Sequence, residues 1–140
     1  MKFTISAALL FAFLVSGCTT HYHYALKDDN LSLQTPSLQA LSKRHLQYWE
    51  LRSTKDFKSS YGFELPYQRY IHSLDWYLTF NSPNNAGFQT TQKEITISEE
   101  GTKAVIETIA SFNGKISYLN DTWFLVDGTW YHQFNDNLLR

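Results

Sequence analysis

Hydrophobic and polar positions change rhythm several times along this chain. Phe3 to Val15 is an apolar run interrupted only by Thr4 and Ser6. Thr19 to about Gln34 is polar and carries no sustained period, which predicts a flexible spacer. Thr35-Pro36 then reads as a helix start, with Thr as N-cap and Pro at the first helical position. Leu38, Leu41, His45, Tyr48 and Arg52 recur at three- and four-residue spacing, with Leu46 and Trp49 beside them. That spacing predicts an amphipathic helix to about Ser53, with Gln39, Lys43, Gln47 and Glu50 on its solvated face. Asp56 to Tyr61 predicts a short second helix ended at Gly62. Pro66 opens a third, carrying Tyr67, Tyr70, Ile71, Leu74, Trp76, Tyr77 and Leu78. The breakers from Asn81 to Gly87 close the helical half.

From Phe88 the period becomes two. Ile95 and Ile97 alternate with polar residues, Glu99-Glu100-Gly101 turns the chain, and Ala104 to Phe112 is rich in strand formers. Asn113-Gly114 and Asp127-Gly128 are strong signals for two-residue hairpins. Between them, Ile116 to Val126 predicts a strand, bulged near Asn120-Asp121; Thr129 to Phe134 predicts the last. The second turn fixes a register: Val126 with Thr129, Leu125 with Trp130, Phe124 with Tyr131, Trp123 with His132. Trp123, Leu125, Trp130 and His132 then share one face, and Phe124 and Tyr131 the other. Both faces are apolar, so the hairpin is covered on both sides or borders a cavity or a partner.

Helices followed by an antiparallel meander of about four strands make an α+β domain with the helices on one sheet face. The segment Trp123-Phe124-Leu125-Val126-Asp127-Gly128-Thr129-Trp130-Tyr131 resembles the closing hairpin of small secreted proteins with the nuclear transport factor two-like (cystatin-like) fold. Tyr48-Trp49, Asp56-Phe57, Tyr61 and Leu65-Pro66 with Arg69 are similar to the opening of those domains. The likeness covers about Pro36 to Phe134. It implies a strongly curved sheet wrapping the helices into a cone-like roll with a pocket at its open end. Members of that family include enzymes, small-molecule binders and dimers formed through the outer sheet face.

The apolar run changes meaning where it ends. Leu14-Val15-Ser16-Gly17-Cys18 resembles the lipobox of bacterial lipoproteins, and Cys18 is the chain's one cysteine. The run is too short for a membrane-spanning helix, which needs about 20 apolar residues. The resemblance implies cleavage before Cys18, acylation of that residue, and, with Thr19 rather than Asp next, an outer-membrane location facing the periplasm. The chain then divides into a signal peptide (1–17), a lipid-anchored tether (18–34) and one domain (35–140). Without Lys2 the mature chain carries 11 basic and 13 acidic residues, with no basic stripe, so nucleic acid is not an expected partner. An acylated Cys18 leaves no thiol for a disulfide, so packing alone must hold the fold. The 4 Trp, 9 Tyr and 10 Phe imply an aromatic core or an adhesive surface.

Candidate chemistry is sparse. His72 and Asp75 fall three apart on the expected third helix, a spacing at which an Asp orients an imidazole as general base. A solvent-facing pair fits them better, because no catalytic motif surrounds them. His45 and His132 can point inward, with Tyr48 and Tyr131 as hydrogen-bond donors. His21 and His23 can face one metal ion from an extended chain, but a site needs three or four ligands. No metal or cofactor is therefore expected. The favoured reading is a non-catalytic, lipid-anchored module that contacts another protein or a second copy through Phe124, Tyr131, Trp123, Trp130 and His132. The alternative is a carrier or enzyme holding a small hydrophobic ligand in the cone pocket.

Overall fold

The computed structural model describes residues 22–25, 36–82 and 86–135. The lipobox with Cys18, the Thr35 cap, His21 and the last five residues lie outside the described residues. The fold is α+β. A strand β1 (Tyr22–Ala25) comes first, then helices α1 (Pro36–Ser53), α2 (Phe57–Ser60), α3 (Pro66–Ile71) and α4 (Leu74–Asn81). Strands β2 (Gln89–Ile97), β3 (Lys103–Phe112), β4 (Lys115–Val126) and β5 (Thr129–Gln133) follow. The five named strands pair antiparallel, in the order β1-β2-β3-β4-β5. The sheet is not strongly curled, so α1 lies along an open face rather than inside a cone.

Within the segment expected as a spacer, β1 registers with β2, Tyr22 opposite Ile97 and Tyr24 opposite Ile95. The alternation of Tyr22, His23 and Tyr24 is a strand pattern too short to separate from a polar linker without its pairing partner.

Helix α1 turns Leu38, Leu41, His45 and Tyr48 onto the sheet, where they are buried with Ile95, Ala104, Ile106, Trp123 and Trp130. Each large apolar side chain buried there contributes about 1.5–3 kcal/mol. The helix stops at Lys55, whose φ of 61° is left-handed, and Asp56 N–H reaches back to the Leu51 carbonyl at 2.8 Å. The expected third helix is instead two. His72 is extended, and Ser73 caps a new helix by accepting a hydrogen bond from Trp76 N–H at 3.2 Å. A serine cap inside an otherwise apolar run overrides the helical period.

Both hairpins have the expected two-residue turns, with positive φ at Asn113, Gly114, Asp127 and Gly128. The β4–β5 register is the one the Asp127-Gly128 turn implies. Strand β4 pairs with β3 without interruption through Asn120 and Asp121. The bulge lies in β2, between Gln92 and Glu94. Its cause is geometric. Gln92 and Ile95 are three apart and would face opposite ways in a regular strand. The extra residue, Lys93, lets Gln92 pair with Thr108 and Ile95 with Ile106, so both turn inward.

The β5 edge is capped rather than left open. Arg44 Nε donates to the Trp130 carbonyl at 2.7 Å, Leu65 N–H to the His132 carbonyl at 2.9 Å, and Gln68 bonds both backbone groups of Phe134.

Candidate functional site

The inner sheet face changes character along its length. Ala104, Ile106 and Trp123 pack against α1 in an apolar layer. One step along, Thr108 and Asp121 introduce polar groups into the interior. Beyond them, Ala110, Leu119, Phe112 and Ser117 continue past the end of the helical cover and leave it as a groove. Two adjoining clefts, of about 470 and about 450 Å³, share Trp49, Arg52 and Leu119. The first has walls of Phe57, Phe88 and Phe112; the second reaches Asp121, His132, Phe80 and Asn81.

The base of the groove is a continuous polar network. Asp121 Oδ2 accepts from Trp49 Nε1 at 2.7 Å, Thr108 Oγ1 at 2.9 Å and His45 Nε2 at 3.0 Å. His45 Nε2 also lies 2.8 Å from Thr108 Oγ1. On its other side, Gln92 Nε2 donates to His45 Nδ1 at 2.7 Å, and Gln92 Oε1 accepts from Ser42 Oγ at 2.7 Å. This bonding assigns His45 as the neutral Nε2–H tautomer. Burial lowers its pKa in the same sense, outweighing the hydrogen bond to Asp121. Two residues away in the network, Glu64 accepts from Tyr77 at 2.7 Å, Tyr48 at 2.9 Å and His132 Nδ1 at 2.8 Å. The Nε2 of His132 sits 3.7 Å from Asp121 Oδ1.

His132 is therefore held between two carboxyl groups. Burial would lower its pKa, but Glu64 and Asp121 raise it to about 9, so it is an imidazolium at neutral pH. Burial acts to raise Asp121, and the facing His132 imidazolium together with the hydrogen bond from His45 overcomes this and holds it well below the ordinary carboxylate range. Burial and the neighbouring Glu64 carboxyl push the Tyr48 and Tyr77 hydroxyls upward, so both remain donors. Arg52 donates to Tyr77 Oη at 3.0 Å and Asn81 Oδ1 at 2.7 Å, with the rings of Tyr48, Trp49 and Phe57 around its guanidinium. Burial would lower Arg52, but Tyr48, Tyr77 and Glu64 outweigh it and the net shift is upward.

The chemical consequence is specific. His45 has both nitrogens engaged, and His132 carries protons on both, so neither offers a free basic nitrogen to the groove. The network fixes the shape and charge of the groove's base.

Of the residues singled out from the sequence, His132 lies in this network. Trp123 and Trp130 are core residues, buried to 0% and 2% exposure, and cannot anchor an outer interface. Their strand positions face α1, as the hairpin register requires. Phe124 and Tyr131 are on the opposite face and half-buried, Phe124 under Lys103 and Tyr131 in contact with both Arg44 and Arg69. His72 and Asp75 do not share a helix face, because the chain is extended between α3 and α4. The His72 ring stacks on Trp76 at 4.1 Å and Asp75 is exposed. Sequence reasoning missed Glu64 and Asp121. Asp121 shares strand parity with Trp123 and Leu125, and a carboxylate on an apolar face is a readable signal.

Among the described residues no group of three or more His, Cys, Asp or Glu side chains is arranged to hold a metal ion, and no helix is long and apolar enough to cross a membrane. Comparisons with protein-family models, curated proteins and solved structures found no match to this chain.

Proposed function

We propose that this protein is a lipid-anchored module of the bacterial outer membrane whose groove takes up a small, largely apolar molecule carrying one polar group. The observation that carries the reading is the groove itself: aromatic walls over a base of buried, mutually satisfied polar groups. Such a mixture is typical of small-molecule sites. The engagement of both His45 nitrogens favours binding without catalysis. The likeness to nuclear transport factor two-like domains supports the same reading, since it implies helices before an antiparallel meander with a pocket at the open end.

The test uses a chain lacking residues 1–18 and the neutral fluorophore N-phenyl-1-naphthylamine. Saturable binding is expected in the wild type. It should be lost in Ala110→Trp, which fills the groove, while circular dichroism stays unchanged. Equal binding by a folded Ala110→Trp variant removes the groove as the site.

A second reading, a contact module, is favoured by one observation. Ile116 and Tyr118 are 63% and 66% exposed on the outer sheet face, the face that also bears Phe124. In that reading Tyr118→Ser with Phe124→Ser abolishes self-association or partner binding and leaves the fold intact; sedimentation equilibrium of wild type and variant decides it.

A further inference from the structure

Outside the groove, at the β5 edge, two guanidinium groups meet one ring. Arg44 from α1 and Arg69 from α3 place their Cζ atoms 5.6 and 5.7 Å from the centre of the Tyr131 ring. Arg44 also lies 4.5 Å over Phe63. Both arginines are half-buried. Among the described residues neither is ion-paired with a carboxylate. Arg44 uses its Nε on the Trp130 carbonyl, which leaves its terminal amino groups uncommitted. The Nε of Arg69 is buried with no hydrogen-bond partner.

This arrangement is costly for the protein alone. A buried donor without an acceptor loses its hydration for nothing, and two like charges around one ring repel each other. Burial lowers the Arg44 guanidinium from its ordinary range; Tyr131 opposes that shift and the nearby Arg69 charge adds to it. Elsewhere among the described residues the buried cations Arg52 and His132 have close partners. The exception at Arg44 and Arg69 points to an acceptor that comes from outside.

We propose that Arg44, Arg69 and Tyr131 form a binding site for a phosphate monoester dianion. Two cations call for two negative charges, which a monoester dianion supplies and a single carboxylate does not. Its three terminal oxygens can take a fork from each guanidinium, whereas a carboxylate is filled by one. The Tyr131 hydroxyl adds a donor beside the Arg44 charge. The ester substituent leaves the site toward solvent, so the residues present select the phosphate and not the group it is attached to.

The test is a thermal melt of the full chain in neutral detergent, titrated with inorganic phosphate against sodium chloride of equal ionic strength. Phosphate is expected to raise Tm progressively, as a ligand of the folded state must. Arg69→Gln, whose described contact is with the Tyr131 ring, should lose at least half of that rise, and Arg44→Gln with Arg69→Gln should lose all of it. In chloride alone Arg69→Gln should melt no lower than wild type, because it relieves repulsion. The soluble diester glycerophosphoglycerol, run alongside, separates the source. A rise with inorganic phosphate that exceeds the diester's supports a monoester dianion, and an equal rise with the diester, the group a phospholipid headgroup presents, overturns it. No rise over chloride in wild type, a rise that survives in the double variant, or an equal rise with acetate overturns the proposal.

Discussion

Replacing Asp121 by Ala is the sharpest probe of what holds α1 on the sheet. Its Oδ2 accepts from His45 and Trp49 of α1 and from Thr108 of β3, while Oδ1 faces His132 of β5. One carboxylate thus ties together a helix and three strands. In Asp121→Ala, His45 Nε2–H keeps Thr108 Oγ1 as acceptor, at 2.8 Å. The Thr108 hydroxyl and the Trp49 indole N–H are left without their acceptor, and His132 loses one of its two carboxyl partners. An orphaned buried donor costs about 1–3 kcal/mol, so two of them with the weakened imidazolium give about 3–5 kcal/mol. That is a large share of the roughly 5–15 kcal/mol of a typical domain. Asp121→Asn retains an acceptor oxygen for the three donors but turns an amide N–H₂ toward His132, so it should cost less, about 1–2 kcal/mol. Urea unfolding followed by tryptophan fluorescence measures both, and far-UV circular dichroism confirms that each variant starts folded. An Asp121→Ala domain within about 1 kcal/mol of wild type refutes the reasoning: the donors would then have other acceptors, and the network would not be what joins helix to sheet.

Three further outcomes are expected. His132 titrates at about 9 folded against 6.5 unfolded, so its stabilisation is complete below pH 6.5 and is lost as pH rises to about 9; unfolding free energy should fall by up to about 3 kcal/mol across that window, and His132→Gln should flatten the profile. Gly128 has φ +75° in open space, so Gly128→Val should cost about 1–2 kcal/mol through backbone strain alone, and an unchanged melt would mean the turn tolerates a β-branched residue. Intact mass of the membrane-extracted protein should show a chain beginning at Cys18 with added acyl mass; a free thiol or an uncut Met1 start rules out the anchor.

The legible parts of this fold are those governed by short-range rules. Helix α1 is legible because Leu38, Leu41, His45 and Tyr48 sit at helical spacing and all face the sheet. The last hairpin is legible because Asp127-Gly128 permits only one tight turn, and that turn sets every pairing behind it. Where a long-range partner decides, the residues alone are silent. Lys93 is a bulge because Gln92 must reach His45 and Ile95 must reach the core, and both demands come from α1. The break at His72-Ser73 competes with an apolar run that favours one long helix. Glu64 lies between Phe63 and Leu65, and its buried role depends on Tyr48, Tyr77 and His132 arriving from three other elements. The curl of the sheet is likewise a property of the assembled strands, and it is weaker than the family resemblance implies.

Strand β1 has a mechanical consequence. It begins at Tyr22, four residues after Cys18, and a fully extended chain covers about 3.5 Å per residue. On the proposed lipid-anchored reading, the leash between acyl chains and folded body is then no longer than about 14 Å. The β1 margin of the sheet must ride against the headgroup layer. The opposite margin, β5, stands four inter-strand gaps away, about 19 Å at ordinary spacing. On that reading the short leash keeps the β1 margin near the bilayer and lets the Arg44–Arg69 margin stand farther from it.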